Sequence, residues 1–263
     1  MPIWLSIVLL GVVEGITEFL PISSTGHLLL AQHWLPRQSD LFNIVIQAGA
    51  VLAVIPLFPE RIRQFLLHWR EPATQDYLLK ILLAFLITAA GGVALTAFGF
   101  ALPETILPVA IALLVGGMLF ILVEHKLKGR PLHHDITWRV AVAVGLAQLV
   151  AAVFPGTSRS GSTILIALLL GLTRPAATEF TFLVGIPTML AASAWRIFKE
   201  LQEPDGSTED WAMLALGFVV AAAVSFVVVR WLLRYVQTHT FTIFGWYRIV
   251  FALILFLFLA TRQ

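Results

Sequence analysis

The 263-residue sequence contains no cysteine, which excludes a disulfide framework, a thiolate zinc site and a cysteine nucleophile. It is also poor in charge. Asp, Glu, Lys and Arg make up 12% of the chain against 59% hydrophobic residues, and a formal net charge of +2 is too small to point to nucleic acid. What fills the chain instead is a series of apolar stretches of about 20 residues, the length that crosses a hydrocarbon core. This is the composition of an all-α polytopic membrane protein. The segment MPIWLSIVLL has no basic n-region and Glu14 interrupts the first apolar run, so residue 1 onward reads as mature chain rather than signal peptide.

Hydropathy places full transmembrane helices at residues 41–59, 77–100, 105–124, 175–197, 211–236 and 243–261. Two further apolar stretches, 3–20 and 138–154, each stop at a proline and run into SSTGH or GTSRSGST before a short apolar helix resumes. That pattern predicts two re-entrant helical hairpins, whose non-helical, hydroxyl-rich tips are buried in protein at membrane depth. The two stretches also match each other. A shift of 134 residues carries Gly11 onto Gly145, Glu14 onto Gln148, Pro21 onto Pro155 and Ser24 onto Ser158; a one-residue insertion then brings Gly26 onto Gly161. The same shift carries Leu41 onto Pro175 and Tyr77 onto Trp211. Each half holds one hairpin and three crossings, an odd number, so the second half enters the membrane upside down. The expected fold is an inverted-topology repeat in a single membrane domain, with halves at about 1–134 and 135–263 and both tips near the midplane.

Orientation follows from the basic residues. Arg61, Arg63, Arg70, Lys80, Lys126, Lys128, Arg130, Arg139, Arg174, Arg230 and Arg234 fall on one side, against Arg37, Arg196, Lys199 and Arg262 on the other. The first side is expected to be cytoplasmic. Both termini, the entrance of the first hairpin and the acidic segment with Glu200, Glu203, Asp205, Glu209 and Asp210 then face outward, toward the periplasm of a Gram-negative cell.

Glu14 and Glu18 are one helical turn apart, so both carboxylates share a face. At membrane depth they repel and each is costly to ionise, so they need a shared proton, a basic partner, a divalent metal, or neighbouring hydroxyls and water. After Pro21 ends the helix, Ser23, Ser24, Thr25, Gly26 and His27 supply hydroxyls, backbone N–H groups at a helix start and an imidazole. Taken singly, Ser23 reads as an N-cap and His27 as a bridge between helices. The second tip adds Thr157, Ser158, Arg159, Ser160, Ser162 and Thr163. The guanidinium of Arg159 suits a bidentate grip on phosphate, or it neutralises Glu14 or Glu18. Glu179 and Arg248, each about a turn inside the cytoplasmic end of its span, predict a mutual ion pair. Gln47 and Asn43 either line the cavity or join helices, and Gly116-Gly117 reads as a packing contact.

On EGITEFLPISSTGH and PGTSRSGST, with FNIVIQAGAVLAV at 42–54, EFTFLVGIP at 179–187 and Tyr247-Arg248 in the last span, the sequence resembles, end to end, the bacterial undecaprenyl-diphosphatases associated with bacitracin resistance. Asn43 departs from the acid frequent in that family. The resemblance implies hydrolysis of undecaprenyl diphosphate to the monophosphate at the outer face of the inner membrane, recycling the lipid carrier for peptidoglycan. It also implies a divalent cation, Mg2+ or Ca2+. On that reading Ser24 is the nucleophile, His27 its general base or the acid for the leaving phosphate, and Glu14 and Glu18 metal ligands or proton acceptors. Arg159 stabilises developing charge, and Ser23, Thr25, Gly26, Gln47, Thr157, Ser158, Ser160 and Thr163 bind the diphosphate. A version with metal-activated water leaves Ser24 as a binding group. The expected partners are the polyprenyl diphosphate and the bilayer, with a homodimer left open. The competing class is an inverted-repeat transporter or flippase of a lipid phosphate or small anion.

Overall fold

A computed structural model describes residues 1–99, 105–202 and 210–261, and among these it is helical, with no β-strand. Phe100 at the end of the second expected span, Glu203, Asp205 and Glu209 of the acidic segment, and Arg262 lie outside the described residues. The helices are α1 Ile3–Thr17, α2 Ser24–Trp34, α3 Asp40–Leu52, α4 Pro59–Leu67, α5 Pro72–Ala97, α6 Ile106–Leu127, α7 Trp138–Val153, α8 Arg159–Leu169, α9 Arg174–Gln202, α10 Trp211–Thr238 and α11 Thr242–Ala260. Their starts follow local chemistry. Ser39 and Thr137 cap α3 and α7 by accepting from the N–H of Phe42 and Val140, Asp210 caps α10, and prolines open α4 and α5.

Among the described residues, six helical stretches are long and apolar enough to cross a membrane: Asp40–Leu57, Pro72–Ala97, Ile106–Leu127, Arg174–Lys199, Trp211–Thr238 and Thr242–Ala260. These match the six expected spans. The remaining apolar helices are too short. At 1.5 Å per residue, the 15 residues of α1 and 16 of α7 reach only ~22–24 Å, and the 11 of α2 and of α8 only ~16 Å, against a core of about 30 Å.

Helices approach closely where side chains are smallest. A Cβ on Gly117 would lie 2.6 Å from the carbonyl oxygen of Gly245, and one on Gly245 would lie 2.9 Å from that of Gly117, so α6 and α11 cross backbone to backbone. This is the packing by which membrane helices associate without a hydrophobic driving force between them. Large apolar side chains such as Val93, Leu253 and Leu257 point outward, as a surface facing lipid requires. The main buried cluster gathers around the two places where helices break, with Phe19 against Phe182 edge to face at 4.9 Å and Ile22, Ile164, Phe180 and Val184 beside them.

Two expectations are corrected here. Glu179 does not pair with Arg248: it accepts from Arg61 Nε at 2.6 Å and from the Tyr77 hydroxyl at 3.5 Å, linking α4 and α5 to α9. Arg248 sits deeper, at the level of the helix breaks, where freed carbonyls rather than carboxylates await it. The alignment of the two breaks also moves by one residue. Among the described residues, Ser23 and Ser158 are the non-glycine residues with positive φ, +74° and +69°. Each is an N-cap, accepting from the N–H of Gly26 or Gly161. Ser23, not Ser24, therefore corresponds to Ser158, and Ser24 corresponds to Arg159.

Candidate active site

The centre grows from that correspondence. Ser24 is the first residue of α2 and Arg159 the first residue of α8. Both reach Glu18, which lies just past the end of α1: the Ser24 hydroxyl donates to Oε2 at 2.6 Å and Arg159 Nη2 donates to Oε1 at 3.1 Å. One carboxylate thus joins the two breaks. The Ser160 hydroxyl reinforces the junction from the backbone side, lying 3.2 Å from the carbonyl oxygen of Glu18 and 3.3 Å from that of Leu20. Glu18 is 7% and Ser24 8% exposed, so the centre is shielded without being sealed.

Deeper on the same face of α1, Glu14 is fully buried beside the Glu18 carboxyl, and no other described group hydrogen-bonds its oxygens. Arg159 Nη1 is unpartnered among the described residues, although its space is reserved: a Cβ on Gly185 of α9 would fall 2.1 Å from it. Orphaned buried groups of both signs in one place are what a bound ligand would satisfy. Among the described residues no three of His, Cys, Asp and Glu converge, so a cation here would rest on Glu14 and Glu18 and fill its shell with water and phosphate oxygens. Two carboxylates with hard oxygen donors fit magnesium or calcium on those terms.

His27 is held at both ring nitrogens. Nδ1 lies 2.7 Å from the Ser23 carbonyl oxygen, which can only accept, so Nδ1 carries the proton; Nε2, 2.7 Å from the Tyr247 hydroxyl, then accepts. The ring stacks on Phe251 with centroids 4.2 Å apart. His27 therefore joins α2 to α11, while the Ser24 proton that it was expected to take is directed at Glu18. Tyr247, half exposed at the mouth, was noted in the sequence without a role, because nothing in a one-dimensional pattern brings it to a residue on α2.

Arg248 is the other group the sequence misplaced. Fully buried, it donates to Pro21 O at 3.1 Å, Gly156 O at 3.3 Å, Thr157 O at 3.1 Å, Ala112 O at 3.1 Å and Leu113 O at 3.4 Å. Gly116 makes room, since a Cβ there would lie 2.2 Å from Nη2.

The remaining candidates divide. Ser23 and Ser158 are spent on caps, and the Thr163 hydroxyl bonds back to the Arg159 carbonyl at 2.7 Å. Gly26 packs against Val109, where its missing side chain lets α2 meet α6. Thr25 and Gln47 are half-buried and make no side-chain hydrogen bond among the described residues. Asn43 joins helices, accepting from Gln32 at 3.2 Å. Thr157 lines an apolar cavity of about 820 Å³ between α6, α7 and α8, with Ala112, Val115, Ala143, Leu146 and Leu165; its lining includes none of Glu14, Glu18, Ser24, His27 and Arg159.

A family model described as bacitracin resistance protein BacA matches residues 7–254. A relative from Rhizobium etli named undecaprenyl-diphosphatase is 53% identical over 253 residues, 96% of each chain. One of the same name from Xanthomonas oryzae pv. oryzae is 53% identical over 256 residues, 97% of each chain. The chain belongs to the bacitracin resistance protein family BacA.

Proposed function

We propose that the paired breaks are the tips of two re-entrant hairpins in an inverted repeat, and that the centre between them hydrolyses undecaprenyl diphosphate to undecaprenyl phosphate and inorganic phosphate. The observation that carries this reading is the Glu18 carboxylate shared between the Ser24 hydroxyl at 2.6 Å and Arg159 at 3.1 Å. A nucleophile resting on its base, next to a guanidinium with a spare donor, is an arrangement for phosphoryl transfer. A carrier of anions needs no such contact. The short lengths of α1, α2, α7 and α8 support the hairpins, and the one-sided excess of basic residues supports an inner-membrane protein whose site opens to the periplasm.

The diphosphate binds between the N-termini of α2 and α8, and its oxygens take the donors of Arg159, of which Nη2 now faces Glu18. Ser24 Oγ then attacks the terminal phosphorus as its proton passes to Glu18. The bridging P–O bond breaks, and undecaprenyl phosphate leaves with the electron pair and takes the proton from Glu18. The freed carboxylate then accepts a proton from water as the water oxygen attacks the phosphoserine. The Ser24 Oγ–P bond breaks, and Ser24 recovers its proton from Glu18 as inorganic phosphate leaves. Glu14 and Glu18 hold a divalent cation, which when bound neutralises part of the diphosphate charge. His27, pinned between Ser23 and Tyr247, fixes the α2 end of the mouth.

The test is phosphate release by purified protein from a polyprenyl diphosphate, with a rapid quench to trap phosphoserine. Ser24→Ala is expected to lose on the order of 10³-fold or more in kcat and all of the trapped phosphoenzyme. Full activity in that variant removes Ser24 as the nucleophile.

A further inference from the structure

Arg248 has an unusual set of partners for a cation in a membrane protein. The guanidinium is fully buried, and every partner it has among the described residues is a backbone carbonyl. Those carbonyls belong to three separate elements: Pro21 in the first tip, Gly156 and Thr157 in the second, and Ala112 and Leu113 on α6. A buried charge without a counter-charge is costly, so simple stability gives a weak reason to place one there. Five N–H donors in a rigid planar fork give a better one, because they can hold several acceptors in fixed directions at once.

We infer that Arg248 is a positioning residue that clasps both hairpin tips to α6 and thereby sets the spacing between Ser24 and Arg159. Pro21 lies between Glu18 and Ser24 in the chain, and Thr157 lies two residues before Arg159. Any drift of the Pro21 carbonyl against that of Thr157 moves the nucleophile against the phosphate grip. A misplacement of about 1 Å in such a constellation costs roughly 100-fold in rate. The room for the clasp is built into the partner helix at Gly116, and α8 leaves it clear at Gly161, where a Cβ would lie 3.2 Å from Arg248 Nη1. The inference rests on the proposed reaction for its catalytic consequence, but the clasp itself can be tested without it.

The experiment compares the wild type with Arg248→Lys, Arg248→Met and Gly116→Ala in the full-length purified chain. Since the chain has no cysteine, Trp34→Cys on α2 and Leu169→Cys on α8, both exposed, accept spin labels without further changes. Lysine keeps the charge but not the fork. The expected result is a kcat lowered by about 10- to 100-fold with KM within about threefold, together with a broadened distance distribution between the labels. Gly116→Ala, which crowds the guanidinium and leaves its charge in place, is expected to move both readouts the same way even where an Arg248 variant does not fold. An unchanged distance distribution in folded Arg248→Lys and Gly116→Ala overturns the clasp, and broadened distances with an unchanged kcat overturn its positioning role. Broadened distances beside a fully active Ser24→Ala would instead uphold the clasp and remove the proposed chemistry.

Discussion

Glu18 gives one oxygen to Ser24 and the other to Arg159, whereas Glu14, one turn earlier, has only the Glu18 carboxyl beside it. In the proposed mechanism the two carboxylates on one helix face therefore carry different tasks: Glu18 would handle the nucleophile's proton, and Glu14 would be the more dedicated ligand for a cation. Glu14→Gln preserves shape and removes charge. It is expected to raise the Mg2+ concentration for half-maximal phosphate release at least about 10-fold, while Glu18→Gln lowers kcat at saturating Mg2+. An unaltered Mg2+ requirement in Glu14→Gln would take Glu14 out of the cation site. The pair itself was visible in the sequence because the i, i+4 spacing alone places both on one face. Their division of labour was not, since it depends on which residue of a distant helix reaches which oxygen. Arg248 is the sharper case: its charge stood out, but its acceptors are main-chain carbonyls, which carry no sequence signal, and the only carboxylate that pattern offered, Glu179, already belongs to Arg61.

At the scale of elements, the breaks decide the architecture. Pro21 follows the end of α1 and Pro155 that of α7, and the chain at each place turns through a serine at positive φ that caps the helix beginning there. Hydropathy and the prolines were enough to find these breaks. The one-residue error in aligning them arose because an insertion within a turn leaves no periodic trace, and only backbone geometry showed that Ser23 and Ser158 correspond. That geometry predicts an inversion of the usual preference at a cap. A left-handed conformation costs a side-chain-bearing residue about 1–2 kcal/mol, which glycine avoids, and replacing a serine cap by glycine loses only a few tenths. Ser158→Gly is therefore expected to match or slightly exceed the wild type in thermal stability. Ser158→Ala keeps the strain, loses the bond from the Gly161 N–H, and is expected to cost ~1 kcal/mol. Equal melting temperatures for the two variants would contradict the strained cap.

Across the whole molecule, apart from the central Arg159–Glu18 pair, the buried or half-buried ion pairs among the described residues gather at one end. Arg61 binds Glu179, and Arg174 grips Glu124 with its Nη2 at 2.5 Å while the Phe241 N–H donates to the same carboxylate at 2.8 Å, so α4, α6, α9 and the start of α11 are tied together there. At the opposite end the ion pair among the described residues is the exposed Arg196–Asp40 contact at 3.7 Å. The tied end also carries Arg63, Arg70, Lys126, Lys128 and Arg139, the excess of basic residues that supports the proposed cytoplasmic side. On the proposed orientation the fastened end faces the cytoplasm and the loosely held end the periplasm. The absence of cysteine makes this directly testable. Gln38→Cys, between α2 and α3, is expected to react with a membrane-impermeant maleimide in intact spheroplasts, and Gly129→Cys, after α6, only once the membrane is permeabilised. The reverse pattern would turn the molecule over, leaving the Ser24–Glu18–Arg159 geometry intact but facing the tips toward the cytoplasm.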